Sequence, residues 1–129
     1  MLFPLQITDN CVVLTPAKQA HVEPVDAGLY GRLDEVYGDF AGHELIACHS
    51  FNEDWGSWEM HPQGDEIVML LSGAVRFVLH NNTADTTVDL TEQGQYLVVP
   101  KGVWHTAQIL ASAKLLFITP GQGTEHRPI

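Results

Sequence analysis

The chain has few basic residues. Its 129 residues include 6 Lys and Arg against 16 Asp and Glu, which gives a formal net charge of −10. This balance repels phosphate backbones and anionic lipid headgroups, and it leaves no basic stripe that could bind either of them. We therefore expect neither nucleic acid nor a membrane surface among its partners.

Cysteine is also scarce, and the sequence has no long apolar run. The two cysteines, Cys11 and Cys48, stand in the apolar segments CVVL and LIACHSF, so each is predicted to be a small buried side chain rather than half of a disulfide. The N-terminal MLFPLQITDN carries no basic residue, and Pro4 and Gln6 interrupt its apolar run, which is unlike a signal peptide. No later segment approaches the length of a membrane span. These features predict a cytoplasmic protein.

The sequence does contain enough apolar residues for one core. With 129 residues, of which 45% are hydrophobic, it is the size of a single domain that needs no disulfide or structural metal for stability. From Glu44 onward, short apolar or alternating segments are separated by Gly, Pro, Asn and Asp, which predicts an all-β sandwich or barrel. The segments are ELIACHSF, EIVMLLS, AVRFVLH, TTVDL, QYLVVP, HTAQIL and AKLLFIT.

The N-terminal third predicts one strand and one short helix. CVVLTP has the composition of a strand, whereas Leu29, Leu33, Val36 and Tyr37 follow helical spacing after Asp26, which could cap the helix. The tail TPGQGTEHRPI is too rich in Gly and Pro for regular structure, so it should close over the surface.

The stretch WEMHPQGDEIVMLLSG concentrates polar side chains just before an apolar run. Residues two apart in a strand share a face, so Glu59 and His61 should point into one space. The PQGD that follows is typical of a turn, with Pro62 fixing φ and Gly64 free to adopt positive φ, and this turn brings Glu66 close to His61. Because an unpartnered buried carboxylate is costly, we expect a cationic group beside Glu66.

A second stretch, GQYLVVPKGVWHTAQI, has a similar arrangement. A strand ends at Pro100, a turn passes through Gly102, and His105 follows at the start of the next strand. A second imidazole thus comes directly after a tight turn, as His61 lies directly before one. Both stretches therefore offer candidate metal ligands at the ends of strands.

Together the two stretches resemble the paired motifs of the cupin superfamily. The first motif, at about residues 56–73, is matched by His61, four residues, Glu66, six residues and Gly73. The second, at about residues 94–109, is matched by Gly94, five residues, Pro100, Lys101, Gly102, two residues and His105. Three positions depart from the pattern: Glu53 and Glu59 stand where the family usually has Gly and His, and Ile109 stands where it has Asn.

The resemblance implies a single cupin domain over residues 1–129. Its fold would be a β-barrel or jelly roll of two packed antiparallel sheets, with a short N-terminal helix and with metal ligands inside one end. His61, Glu66 and His105 would be ligands, and Glu59 occupies the position of a further one.

The role of Glu59 leaves three alternatives open. If it coordinates, two imidazoles and two carboxylates favour one divalent ion of iron, manganese or zinc, or of nickel, over copper(I). If it does not, His61, Glu66 and His105 form the two-His, one-carboxylate set of non-haem iron oxygenases, with positions open to substrate or dioxygen. The third alternative is a site without metal, in which Glu59 and His61 form a hydrogen-bonded pair.

Further residues could belong to a pocket. His49 shares a strand face with Phe51 and could act as a catalytic acid or base, although a lone strand histidine is more often structural. Arg76 and Lys101 are the only basic residues near the motif strands, so they are the candidates to meet an anionic group of the substrate. Trp55, Trp58 and Trp104 could wall a pocket, although core or interface packing is the more frequent role. No role is predicted for His21, His43, His80 and His126.

These residues predict a metal-dependent enzyme that acts on a small organic substrate, of dioxygenase-like, isomerase or decarboxylase type. The alternative is a non-catalytic module that binds a small molecule or senses a metal, because fold alone does not decide function. We also expect a homodimer, since the edge strands of a small sandwich need cover and the segment from Ile67 to Leu71 is apolar on both faces.

Overall fold

The computed structural model describes residues 2–129, which form nine strands and one short helix. In chain order these are β1 (Asn10–Leu14), β2 (Ala20–Pro24), α1 (Leu29–Val36), β3 (Glu44–Phe51), β4 (Ser57–Met60), β5 (Glu66–Asn81), β6 (Ala84–Leu90), β7 (Tyr96–Val99), β8 (Trp104–Thr119) and β9 (Glu125–Pro128). Every strand pairing is antiparallel. The predicted all-β fold with a short N-terminal helix is confirmed.

Two long strands, β5 and β8, join two packed sheets into a jelly roll. The first sheet has the order β2-β1-β3-β8-β5-β7, and it uses the start of β5 and the end of β8. The second has the order β9-β4-β8-β5-β6, and it uses the other halves of the same two strands. The inner faces of both sheets line one interior, which the functional side chains share.

Bulges around Gly73 let β5 bend from one sheet into the other. The pairing of β5 with β8 shifts register between Leu70 and Val75. Gly73 has φ of 84°, and a Cβ built on it would overlap the carbonyl oxygen of Ser112. Only glycine meets both requirements. The sequence predicts separate strands on either side of this point, whereas the structure has one bent strand, and β8 likewise unites HTAQIL with AKLLFIT.

The core consists of two apolar clusters. The larger lies between the sheets, and its buried members are Val68, Leu70, Val75, Phe77, Leu90, Val99, Ala107, Ala113, Leu115 and Phe117. The smaller lies where α1 packs against β1 and β3, and it comprises Cys11, Val13, Leu29, Leu33, Tyr37, Phe40, Leu45 and Ala47. The helix therefore covers the part of the first sheet that the second sheet does not.

The structure corrects several local predictions in the N-terminal part and the tail. Asp26 does not cap α1: the helix is preceded by Gly28, and the Asp26 Oδ1 accepts a hydrogen bond from the Gly28 amide at 3.0 Å. Val36 points away from the core and is 62% exposed. The tail contains a regular strand, β9, because β4 offers it a free edge with which to pair.

Burial also differs from the prediction at three places. Cys48 is only half-buried, unlike Cys11, because it lies on the outer face of the first sheet. The outward side chains between Ile67 and Leu71 are half-buried rather than buried. Gly64 does not adopt the predicted positive φ. Glycine is favoured there because the Pro120 ring is close, and a Cβ on residue 64 would lie 3.0 Å from it. Within residues 2–129 the structure has no helix that is long and apolar enough to cross a membrane.

Candidate metal centre

Four side chains from three strands and one turn meet at one end of the interior. Glu59 lies in β4, His61 directly follows that strand, Glu66 opens β5, and His105 is near the start of β8. Glu59 and His105 face each other as partners across the β4–β8 pairing. One potential ligand atom from each residue lies within 4.8 Å of all the others. The structure therefore brings together all four residues that the sequence singled out.

The distances among these atoms suit ligands of a single ion. The Nε2 of His61 lies 2.9 Å from Glu59 Oε1 and 3.2 Å from Glu66 Oε2, and the Nε2 of His105 lies 3.2 Å from Glu66 Oε1. Two ligands held at about 2.1 Å from one ion, at right angles to each other, are about 3.0 Å apart. His61, Glu66 and His105 are buried, whereas the side chain of Glu59 is 24% exposed.

Hydrogen bonds on the far side of each imidazole orient its free nitrogen into the site. The Nδ1 of His105 lies 3.1 Å from the carbonyl oxygen of Val103, which can only accept, so this nitrogen donates. The Thr124 hydroxyl donates to the Gly121 carbonyl at 2.9 Å and therefore accepts from His61 Nδ1 at 2.8 Å. In the neutral imidazoles both Nε2 atoms then carry lone pairs toward the site.

These inward-facing atoms lack hydrogen-bond partners among the described residues. The Nε2 atoms of His61 and His105 and the Oε1 of Glu66 are buried and unpaired, because their close contacts do not have hydrogen-bond geometry. Buried polar atoms are rarely left unpaired, and lone pairs that converge repel one another. A positive charge between them removes both costs. The donor set of imidazole and carboxylate fits a divalent ion such as Fe²⁺, Mn²⁺ or Zn²⁺.

The pKa values of two of these groups show how strongly the site attracts positive charge. Burial by itself lowers the pKa of His61, but the carboxylates of Glu59 and Glu66 outweigh it and raise this pKa to about 9. Burial raises the pKa of Glu66, but His105 and His61 outweigh it and lower this pKa to about 2. The Thr119 hydroxyl also donates to Glu66 Oε2 at 2.6 Å. A proton and a metal ion therefore compete for the same place.

Three members of the cluster, Glu59, His61 and Glu66, line a cavity of about 880 Å³. His49 and Phe51 also line this cavity, so the predicted shared face of these two residues is confirmed. The Nε2 of His49 is 3.0 Å from the Tyr30 hydroxyl of α1. Burial lowers the pKa of His49, against an opposing effect of Glu59, and burial also raises the pKa of Tyr30. Both groups are thus held in their neutral forms at neutral pH.

Some residues that the sequence favoured lie elsewhere. Neither Arg76 nor Lys101 lines the cavity, so neither is placed to meet an anionic group of a substrate there. Arg76 pairs with Asp89 on the surface, at 2.7 Å and 2.9 Å. Of the three tryptophans only Trp55 is in the cavity wall. Trp58 contacts the ring of His80, and Trp104 lies under the Arg127 guanidinium, 4.0 Å from it.

Three residues at the site were missed from the sequence. Tyr30 contacts His49, Thr124 holds His61, and His126 of β9 lies with its Nε2 3.3 Å from Glu59 Oε2. One signal for the last two was present, because Thr124 and His126 are two residues apart and would share a face of a strand. The Gly- and Pro-rich composition of the tail predicts no strand there, so strand alternation gave no expectation for these two residues.

Comparison with known proteins finds likeness in structure. No family model and no curated protein matches the chain. It is similar to a cupin-2 domain containing protein from Shewanella frigidimarina, with 21% identity, a TM-score of 0.48, and coverage of 60% of this chain and 70% of that one. It is also similar to oxalate decarboxylase from Bacillus subtilis, described with Mn(II) centres, with 16% identity and a TM-score of 0.54; the match covers 67% of this chain and 24% of that one. A third similar structure is Fe(II)-HppE with an alternative substrate, with 17% identity and a TM-score of 0.50; the match covers 59% of this chain and 42% of that one. The matches to the last two span less than half of those chains, and at these identities they show the fold alone.

Proposed function

Because the chain has a cupin-type fold, we propose that it is a metal-dependent enzyme acting on a small organic molecule in the interior of the jelly roll. The ligands of the ion are His61, Glu66, His105 and Glu59. The observation that carries the proposal is the group of buried nitrogen and oxygen atoms that converge without hydrogen-bond partners in the wall of a cavity large enough for a substrate. A structural pair of Glu59 and His61 would not need His105 and Glu66 turned toward the same point.

The side chains around the cluster have distinct roles in this proposal. A divalent ion bound there supplies Lewis acidity and, if it is iron or manganese, redox chemistry. The pair of His49 and Tyr30 can accept or donate a proton at the cavity surface, because neither group is a ligand and each contacts the other at 3.0 Å. Phe51, Trp55 and Phe117 form an apolar wall that limits water around the reacting groups.

The reaction class stays open between oxygenation, isomerisation and decarboxylation. Two of the similar structures carry Fe(II) and Mn(II), which supports one of these two metals over zinc or nickel. The fourth ligand, Glu59, adds a second carboxylate to the site and suits these harder ions. The rival proposal, a binding or sensing module without turnover, lacks a use for the His49–Tyr30 pair, and this pair is why we favour an enzyme.

Elemental analysis of protein purified without added metal tests the proposal. We expect about one divalent ion per chain in the wild type and loss of most of it in His105→Ala. His80→Ala is the matched control, because the His80 ring pairs with Asp85 at the surface and is not part of the cluster. Circular dichroism must show that both variants are folded. A well-folded wild type that carries no metal and takes up none from added Fe²⁺, Mn²⁺ or Zn²⁺ would refute the proposal.

A further inference from the structure

The walls of the cavity indicate which ligand it holds, beyond the reaction at the metal. Five aromatic side chains line it, and two of them are buried: these are Tyr30, Phe40, Phe51, Trp55 and Phe117. Phe51, Trp55 and Phe117, from β3, the loop that follows it and β8, contact one another as one aromatic group, and Tyr30 and Phe40 come from α1 and the turn after it. Such a surface favours a ligand with an apolar body, and its ring faces also attract cations.

Outside the cluster of Glu59, His61, Glu66 and His105, the Asp, Glu, Lys and Arg residues that line the same cavity are all acidic. Asp34, Glu53 and Asp54 are exposed residues of its lining, which places them at the mouth. Among the described residues of the wall there is no Lys or Arg. One of these carboxylates is also fixed in position, since Asp54 Oδ1 accepts from the Ile109 amide at 2.7 Å. An anion that enters would lose water near three negative charges and gain no basic side chain in return.

The buried cluster makes this cavity a built site rather than an acidic surface. His61 and Glu66 are 4% and 1% exposed, line the cavity, and each presents an unpaired polar atom. A divalent ion on the cluster would be offset by the two charges of Glu59 and Glu66. The net charge that a ligand meets is therefore set by the mouth, and it is negative.

We propose that the cavity binds a small organic cation, an amine or a quaternary ammonium compound with an apolar body. The aromatic side chains of the wall contact the apolar part of the ligand and present their ring faces to the cationic group. The carboxylates at the mouth attract and orient this charge. This inference rests on the proposed function only in taking the cavity as the ligand site. It deepens that function by naming the substrate class, and it disfavours carboxylate and phosphate substrates.

Isothermal titration of the protein as purified, with three probes of nearly the same shape, tests the inference. The probes are choline, its uncharged carbon isostere dimethylbutanol, and the isosteric anion dimethylbutanoate. We expect saturable binding of choline, weaker binding of dimethylbutanol, and the weakest binding of dimethylbutanoate. Added salt should weaken choline binding and leave that of dimethylbutanol nearly unchanged, because salt screens exposed charges.

A double variant, Asp34→Asn with Glu53→Gln, isolates the effect of the mouth. It should weaken choline binding by about three- to tenfold, the range expected for two solvent-screened charges, without changing the binding of dimethylbutanol. The control, Asp9→Asn with Glu92→Gln, makes the same change in net charge at exposed residues outside the cavity wall and should bind choline like the wild type.

Three results would overturn the inference: no saturable binding of choline, binding of dimethylbutanoate as tight as that of choline, or equal effects of the two double variants. None of them depends on whether the cluster holds a metal, which elemental analysis decides separately. The failure of this inference and the failure of the proposed function are therefore distinguishable.

Discussion

At the scale of single residues, Glu59 is the ligand on which the alternative metal sites differ. Its carboxylate touches both His61, at 2.9 Å, and His126, at 3.3 Å, and it is the most exposed of the four. If it is a ligand, Glu59→His should retain the metal, Glu59→Ala should lose affinity most, and Glu59→Gln should lie between, because an amide oxygen still coordinates without charge. Competition with a chelator measures these affinities. If Glu59→Ala binds as tightly as the wild type, the three-ligand set of His61, Glu66 and His105 replaces this one.

Thr124 is a positioning residue for His61. Its hydroxyl accepts from His61 Nδ1 and donates to Gly121, so it fixes both the tautomer and the direction of the ring. Thr124→Val should weaken metal binding by about 10- to 100-fold, the cost typical of a lost partner behind a ligand, whereas Thr124→Ser should restore most of it. Chelator competition gives the affinity, and melting curves of the metal-free variants give the structural effect. Equal metal affinities for the Val and Ser variants would show that the hydroxyl has no such role.

Metal binding should depend on pH because a proton competes for His61. With a pKa of about 9 in the metal-free protein, His61 is protonated at neutral pH, so each ion that binds must displace about one proton. Affinity should therefore rise with pH until about pH 9 and fall as acid is added. Titrations in buffers of different ionisation enthalpy measure the protons released. Conversely, the raised pKa stabilises the metal-free fold below pH 6.5, and this stabilisation is lost as pH rises through about 9. An affinity that does not change from neutral pH to pH 9 would contradict this assignment.

The site was predictable from sequence to the extent that its residues lie in local motifs. His61, Glu66 and His105 follow fixed spacings around turns, and strand alternation adds Glu59. Nothing local links these motifs to Tyr30 on α1 or to His126, because those contacts arise only when α1 and β9 pack against the rest of the fold. The sequence also did not show which basic side chains face the cavity. Arg76 lies near the first motif in sequence, but strand alternation directs its side chain outward, where it pairs with Asp89.

At the scale of elements, the sequence predicted the strands well and their joints poorly. A glycine after an apolar run indicates a turn, a bulge or a close approach, and single-sequence patterns do not distinguish these cases. At Gly73 the chain continues as one strand across both sheets. At Gly64 glycine is favoured because the Pro120 ring lies too close for a Cβ. The prediction that the tail is irregular was wrong for a related reason. The sequence of β9 is not typical of a strand, and β9 forms because β4 supplies its hydrogen-bond partners.

The bend at Gly73 leads to a prediction about stability. Gly73→Ala should destabilise the protein by more than about 2 kcal/mol, because alanine is strained at positive φ and its Cβ would overlap the Ser112 carbonyl. Gly31→Ala in α1 is the opposite case: its Cβ meets no atom within 4 Å, so it should stabilise by about 0.5–1 kcal/mol. Denaturant unfolding of both variants measures the difference. A Gly73→Ala variant as stable as the wild type would mean that β5 can bend by another route.

At the scale of the whole molecule, apolar side chains cross all six strands on the outer face of the first sheet. One row of cross-strand partners runs through Val22, Val12, Ile46, Ile118, Ile67 and Val98, and a second through Cys48, Leu116, Met69 and Tyr96. With strands about 4.8 Å apart, the first row is about 24 Å long. Several members are well exposed in the single chain, among them Val22 at 49% and Tyr96 at 61%. This apolar outer face, which lies on the opposite side of the sheet from the interior, is a candidate interface for the expected homodimer.

We propose that two copies pack these apolar outer faces against each other about a two-fold axis. A two-fold contact is self-complementary, so an apolar row can lie on its own copy without any charge being buried, which matters for a chain with a net charge of −10. Ile118→Lys, at the centre of the row, should therefore give a folded monomer with its metal site intact, because the inner face of β8 is unchanged. Gln108→Lys on the outer face of the second sheet adds the same charge and should stay dimeric. Light scattering over a range of concentrations decides: a wild type that remains monomeric at high concentration, or a Gln108→Lys variant that dissociates as Ile118→Lys does, would show that this face is not the interface.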